Sequence, residues 1–156
     1  MKTLKTFIVL LVMIISSNSY GQTKEETIAW LKEKFANAHL YDFMEPAKQK
    51  LKIESINECE VVFTYESKRE KDGGFSRTTI PFANLKMKQT GDRNDEKSIG
   101  NKAKAIKEEC ETCESKTYNT SSSSIEIEET EVDLFSRIEK AAAHLATFCA
   151  KNKQAF

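Results

Sequence analysis

Between Leu51 and Phe82 the sequence runs with a period of two, and that period restricts the chain to folds containing an antiparallel sheet. Leu51 and Ile53 alternate with Lys52 and Glu54. After a short polar turn, Cys59, Val61, Phe63 and Tyr65 alternate with Glu58, Glu60, Val62 and Thr64. One face of this second strand is apolar and the other mostly polar, so it covers a core on one side. Asp72, Gly73 and Gly74 then signal a tight hairpin, because glycine tolerates the positive φ such turns require. The return strand is expected over Phe75 to Phe82. Pro81 has no N–H to give a ladder, so the strand should end there or run along an edge.

Two helical patterns flank this region. Thr23 and Glu26 have capping-box spacing, and Ile28, Leu31, Phe35 and Ala38 recur on one face of a helix from about Lys24 to Ala38. Trp30 widens that face. Asp42 to Pro46 is expected to end the element. At the other end, Leu134, Ile138, Ala141, Leu145 and Phe148 form the stripe of a helix from about Val132 to Lys151, with Arg137, Glu139 and Lys140 outside it. Gln89 to Lys97 reads as a polar loop and Ser121 to Ser124 as a serine loop. Residues 102 to 109 fit a helix by composition, but a strand is preferred. Ile125 and Ile127, alternating with Glu126 and Glu128, need a partner, and the polar stretch between would close a hairpin. The expected fold is α+β, with a mainly antiparallel sheet or roll of about five to seven strands packed by an N-terminal and a C-terminal amphipathic helix.

The first residues carry a separate message. Lys2 and Lys5 precede an apolar run from Phe7 to Ile15, which gives way to Ser16, Ser17, Asn18 and Ser19. This is the order of a secretory signal peptide, and the run is well short of the roughly 20 residues that span a bilayer. Ser19 and Gly21 supply small side chains for cleavage before Gln22, leaving residues 22–156 as a single domain in the periplasm or outside the cell, without a membrane anchor. Removing residues 1–21 takes two lysines from the 24 basic residues and none of the 24 acidic ones, for a formal charge of −2. That balance gives no electrostatic case for nucleic acid as a partner.

All four cysteines, Cys59, Cys110, Cys113 and Cys149, follow the leader and would meet an oxidising compartment. Cys110 and Cys113 form a C-x-x-C. A redox reading needs a stabilised thiolate, which Glu109, Glu111 and Glu114 oppose. A zinc reading needs two more donors, from Cys59, Cys149, His39 or His144. A disulfide between Cys110 and Cys113 that tightens a turn is preferred, with Cys59 and Cys149 as small core residues. Asp92, Asn94 and Glu96 have the look of a calcium loop, but Lys97 and Ala103 stand where glycine and a bidentate carboxylate are required. His144 has no acid or nucleophile near it in sequence. Asn119, Thr120 and Ser121 match a glycosylation acceptor, and Lys68, Arg69 and Lys71 read as a solvated hairpin tip. No catalytic or cofactor-binding residue is assigned.

The stretches Glu26-Thr27-Ile28-Ala29-Trp30-Leu31 and Arg137 to Leu145, with the strand-rich middle between them, resemble small exported bacterial proteins of unassigned function. The order of strands and closing helix also looks like a pleckstrin-homology-type architecture with an added N-terminal helix. The resemblance implies no activity. The expectation from the residues is an exported, non-catalytic binding or interaction module whose ligand is an unknown protein or small molecule. The alternative is a thiol–disulfide or zinc-binding protein using Cys110 and Cys113.

Overall fold

A computed structural model of the chain describes residues 23–40, 49–67, 74–89, 96–110 and 117–154. Residues 1–22, Asp42 to Pro46, residues 68–73, Asp92, Asn94, Glu111, Cys113 and Glu114 lie outside the described residues.

Helix α1 (Lys24–Phe35) opens on the expected capping box. Thr23 Oγ1 accepts from the Glu26 N–H at 3.2 Å, and Glu26 Oε2 accepts from the Thr23 N–H at 2.9 Å. The helix ends three residues before Ala38, which is still buried. The strands follow as β1 (His39–Leu40), β2 (Gln49–Lys50), β3 (Lys52–Ile56), β4 (Glu60–Ser67), β5 (Gly74–Pro81), β6 (Leu85–Gln89), β7 (Glu96–Asn101), β8 (Ile106–Cys110), β9 (Thr117–Thr120) and β10 (Ser122–Glu128), before helix α2 (Leu134–Gln154). The α+β class agrees with the sequence. The single sheet or roll of five to seven strands does not, because the strands form two antiparallel five-stranded sheets, ordered β2-β1-β10-β7-β6 and β3-β4-β5-β8-β9.

The extra strands escape a reading of periodicity because polar residues build them. Glu96 and Lys97, expected in a loop, open β7, and Ser122 to Ser124, read as loop, open β10. The preference for strand over 102–109 holds only from Ile106, residues 102–105 forming the turn before it. Its partners also differ from expectation. β8 pairs with β5 and β9, whereas β10 pairs with β7 and β1. Thr117–Thr120 takes the place beside β8 that the 125–128 strand was expected to fill. Gly100 leaves room for the Lys88 side chain, whose Cε would lie 2.6 Å from a Cβ there; the lysine lies across the strand and donates to Ser121 O at 2.9 Å.

One hydrophobic cluster joins both sheets and both helices. Val61, Phe63, Ile80 and Ile106 come from the second sheet, and Ile99, Ile125 and Ile127 from the first. Leu31 and Phe35 enter from α1 and Leu134, Ile138, Ala142 and Leu145 from α2, all at 3% exposure or less. Each such aliphatic side chain contributes about 1.5–3 kcal/mol of burial. Phe35 meets Phe63 edge to face at 5.7 Å, locking α1 against β4. The helices meet through Glu131, which forms an ion pair with Lys34 at 2.9 Å and accepts from Arg137 at 2.8 Å, while both cations lie over the Trp30 ring.

Cys59 and Cys149 are joined in a disulfide, which corrects their reading as small core residues. Cys59 sits in the turn before β4 and Cys149 in the last turns of α2. Both are only partly buried, so they act as a tie at the core's edge. Among the described residues no helix is long and apolar enough to cross a membrane.

Candidate functional site

The first sheet has two chemically different faces. Leu40, Ile125, Ile127 and Ile99 point to the core. The pairing His39↔Glu126↔Ser98↔Lys88 runs a polar row across the opposite face, and Glu96 lies two residues along β7 from Ser98 on that same face. Alternation predicts such a face to be wet. Here His39 is 5% exposed, Glu96 4% and Glu126 1%.

Three side chains of metal-binding type converge there. His39 Nε2 lies 3.9 Å from Glu96 Oε1 and 3.8 Å from Glu126 Oε2, and the three donor atoms lie within 4.8 Å of one another. The distances exceed hydrogen-bond reach. The other imidazole nitrogen, Nδ1, is 3.5 Å from the Asn37 carbonyl oxygen. A carbonyl only accepts, so this contact is a hydrogen bond when the proton sits on Nδ1, which turns the Nε2 lone pair toward the carboxylates. Glu96 and Glu126 each make a further interaction in the fold.

The order of the row decides what chemistry it can perform. A serine triad needs histidine between the hydroxyl and the acid. In this row Glu126 stands between His39 and Ser98, and the two outer residues are separated by two inter-strand steps, roughly 9–10 Å of backbone. Ser98 Oγ instead contacts the Lys88 carbonyl at 3.4 Å and Ser122 Oγ at 3.5 Å. The arrangement offers ligand atoms, and among the described residues no hydroxyl is shown poised on the histidine.

The residues singled out from sequence are distributed differently. Cys110 ends β8 and is disulfide-bonded; Cys113, its expected partner, lies outside the described residues. His144 is on the exposed side of α2, its ring edge-on to Phe148 at 5.0 Å. The zinc set that would combine the C-x-x-C with Cys59 and Cys149 is excluded by the disulfide joining those two. His39, weighed only as a recruit to that set, is the one candidate histidine inside a donor cluster. Glu96 appeared only in the rejected calcium loop, and Glu126 only as the polar half of an alternation. No sequence signal separates buried Glu126 from exposed Glu128, since both are wet positions by period.

A second polar group lies on the inner face of the other sheet. Tyr65 packs against Ser76 and near Glu108, and burial pushes its phenol upward despite the Ser76 hydrogen bond. Among the described residues it gathers no metal-type donor set.

Neither protein-family models, nor curated proteins, nor solved structures provide a match to this chain.

Proposed function

We propose that this chain is an exported, non-catalytic binding module held together by disulfides. The observation that carries the proposal is the Cys59–Cys149 disulfide, which closes a span of 90 residues between a strand turn and the last helix. Such a tie forms and persists in an oxidising compartment. The lysines, apolar run and small residues of positions 1–21 support the same destination, as does the resemblance to small exported bacterial proteins. Binding is favoured over catalysis because the buried polar row gathers donors without a nucleophile hydrogen-bonded to its histidine.

The rival reading, a thiol–disulfide or zinc protein using Cys110 and Cys113, has one observation behind it: Cys110 is already oxidised and stands at a strand end. The zinc form of that reading would require the bond to be reduced first, because the thiolate is the ligand.

Intact mass of the protein from its native compartment, alkylated before and after reduction, separates the readings. The export proposal expects a chain starting at Gln22 that takes up label only after reduction. A chain retaining Met1 and carrying free thiols would overturn it, and label at Cys110 and Cys113 alone in the unreduced protein would favour the rival.

A further inference from the structure

We infer that His39, Glu96 and Glu126 form a binding site for a divalent transition-metal ion of the zinc class. The inference names the ligand of the binding reading above and rests on that reading for its role, though not for its geometry. Three observations carry it.

The first is the spacing. An imidazolium shared between two carboxylates draws them into charge-assisted hydrogen bonds of roughly 2.7–2.9 Å. The separations of 3.9 and 3.8 Å are too long for that. Two ligands on one ion at roughly 2.1 Å lie about 3.0 Å apart at a right angle and about 4.2 Å apart across it. The two histidine–carboxylate gaps fall inside that window, and the three donor atoms all lie within 4.8 Å of one another.

The second is the tautomer. A ligating histidine characteristically donates its other ring N–H to a carbonyl or carboxylate, which fixes ring and proton together. The contact of His39 Nδ1 with Asn37 O meets that description. With the proton on Nδ1, the Nε2 lone pair faces two carboxylates, an arrangement that a cation between them stabilises.

The third is the donor set. One imidazole and two carboxylates carry a formal charge of −2, which a divalent ion balances. An imidazole nitrogen suits zinc, nickel or iron better than calcium or magnesium, which prefer oxygen throughout. The three ligands come from β1, β7 and β10, so a bound ion would fasten the short strand β1 to the centre of its sheet. Metal binding would therefore appear as fold stability.

The test uses the oxidised full-length mature chain, whose cysteines cannot ligate. The protein is unfolded in denaturant with a chelator, then refolded with zinc or with no metal, and desalted. One retained equivalent and a raised Tm are expected, with at least about a tenfold loss of affinity in Glu96→Gln and Glu126→Gln and none in His144→Ala. Should the glutamine variants fail to fold, cobalt(II) in the wild-type protein decides. Visible d–d absorption without a sulfur-to-cobalt charge-transfer band supports the site; a thiolate band, or no bound cobalt, overturns it. Zinc-free refolding with an unchanged Tm also overturns it, as would equal binding by both glutamine variants. The export reading is judged separately by the intact-mass experiment, so an exported chain that takes no metal removes the cation and leaves export standing.

Discussion

Asn101 shows how much one side chain can hold in a fold of short strands. It is fully buried at the end of β7, where Nδ2 donates to Pro81 O at 3.3 Å and Ala83 O at 2.8 Å and Oδ1 accepts from the Ala103 N–H at 2.9 Å. It thereby stitches the β5–β6 connection to the β7–β8 turn. Asn101→Ala leaves three backbone groups to find new partners, and we expect a loss of about 2–4 kcal/mol in urea unfolding. Glu139 gives a prediction with a sign. Burial alone would raise its carboxyl, but hydrogen bonds from Lys86 Nζ at 2.6 Å and the Met87 N–H at 2.8 Å override that and hold it below the usual carboxylate value. A carboxyl depressed on folding contributes stability that is present above its unfolded pKa and is lost as pH falls through the folded one. Glu139→Gln should therefore be less stable than wild type by roughly 1 kcal/mol at neutral pH. The difference should shrink as pH drops below the ordinary carboxylate range, a comparison made by thermal unfolding across pH. A gap that stayed constant in acid would show the charge to be irrelevant.

Among the elements, α1 is the one whose start could be read beforehand, although it ends at Phe35 and not at the expected Ala38. The Thr23–Glu26 spacing became a capping box, so Thr23→Ala is expected to cost about 1 kcal/mol, detectable as a lower urea midpoint with an unchanged slope. The stripe of α2 and the alternation of β3 to β5 were equally legible, because each buries a face with the period of its own backbone. What could not be read was pairing between strands distant in sequence. Ile125 and Ile127 announce a strand but carry no address, and β10 lies between β1 and β7 instead of beside β8. The candidate site fell into the same gap. His39, Glu96 and Glu126 stand in three separate segments, and only the register His39↔Glu126↔Ser98 brings them together. The polar strands β7 and β9 were invisible for a related reason. β7 is held by ladders to β10 and β6 on its two sides and β9, at the sheet edge, by its ladder to β8, and neither source of stability leaves an apolar period in the strand itself.

At the scale of the molecule, the Cys59–Cys149 disulfide is the longest-range constraint among the described residues that is covalent, and it tests how the domain divides its stability. The 90-residue separation encloses β4 to β10 and most of α2, leaving α1 and β1 to β3 outside the closed loop. In the chain-entropy account, opening a loop of that length frees the unfolded state by about 4.6 kcal/mol. The native state should lose little structure, because α2 is already fixed by Leu134, Ile138, Ala142 and Leu145 in the common core, and α1 by Leu31 and the Phe35–Phe63 contact. The Cys59→Ser, Cys149→Ser double variant is thus expected to fold with unchanged far-ultraviolet dichroism and to lose roughly 3–5 kcal/mol. Urea unfolding followed by Trp30 fluorescence should show a larger m-value, since an unbridged denatured chain exposes more surface. Loss restricted to α2 would instead mean that the bond holds the helix in place. Equal stability with and without the bond would mean that the denatured chain is already compact between these two cysteines, and the core alone would then have to account for the fold.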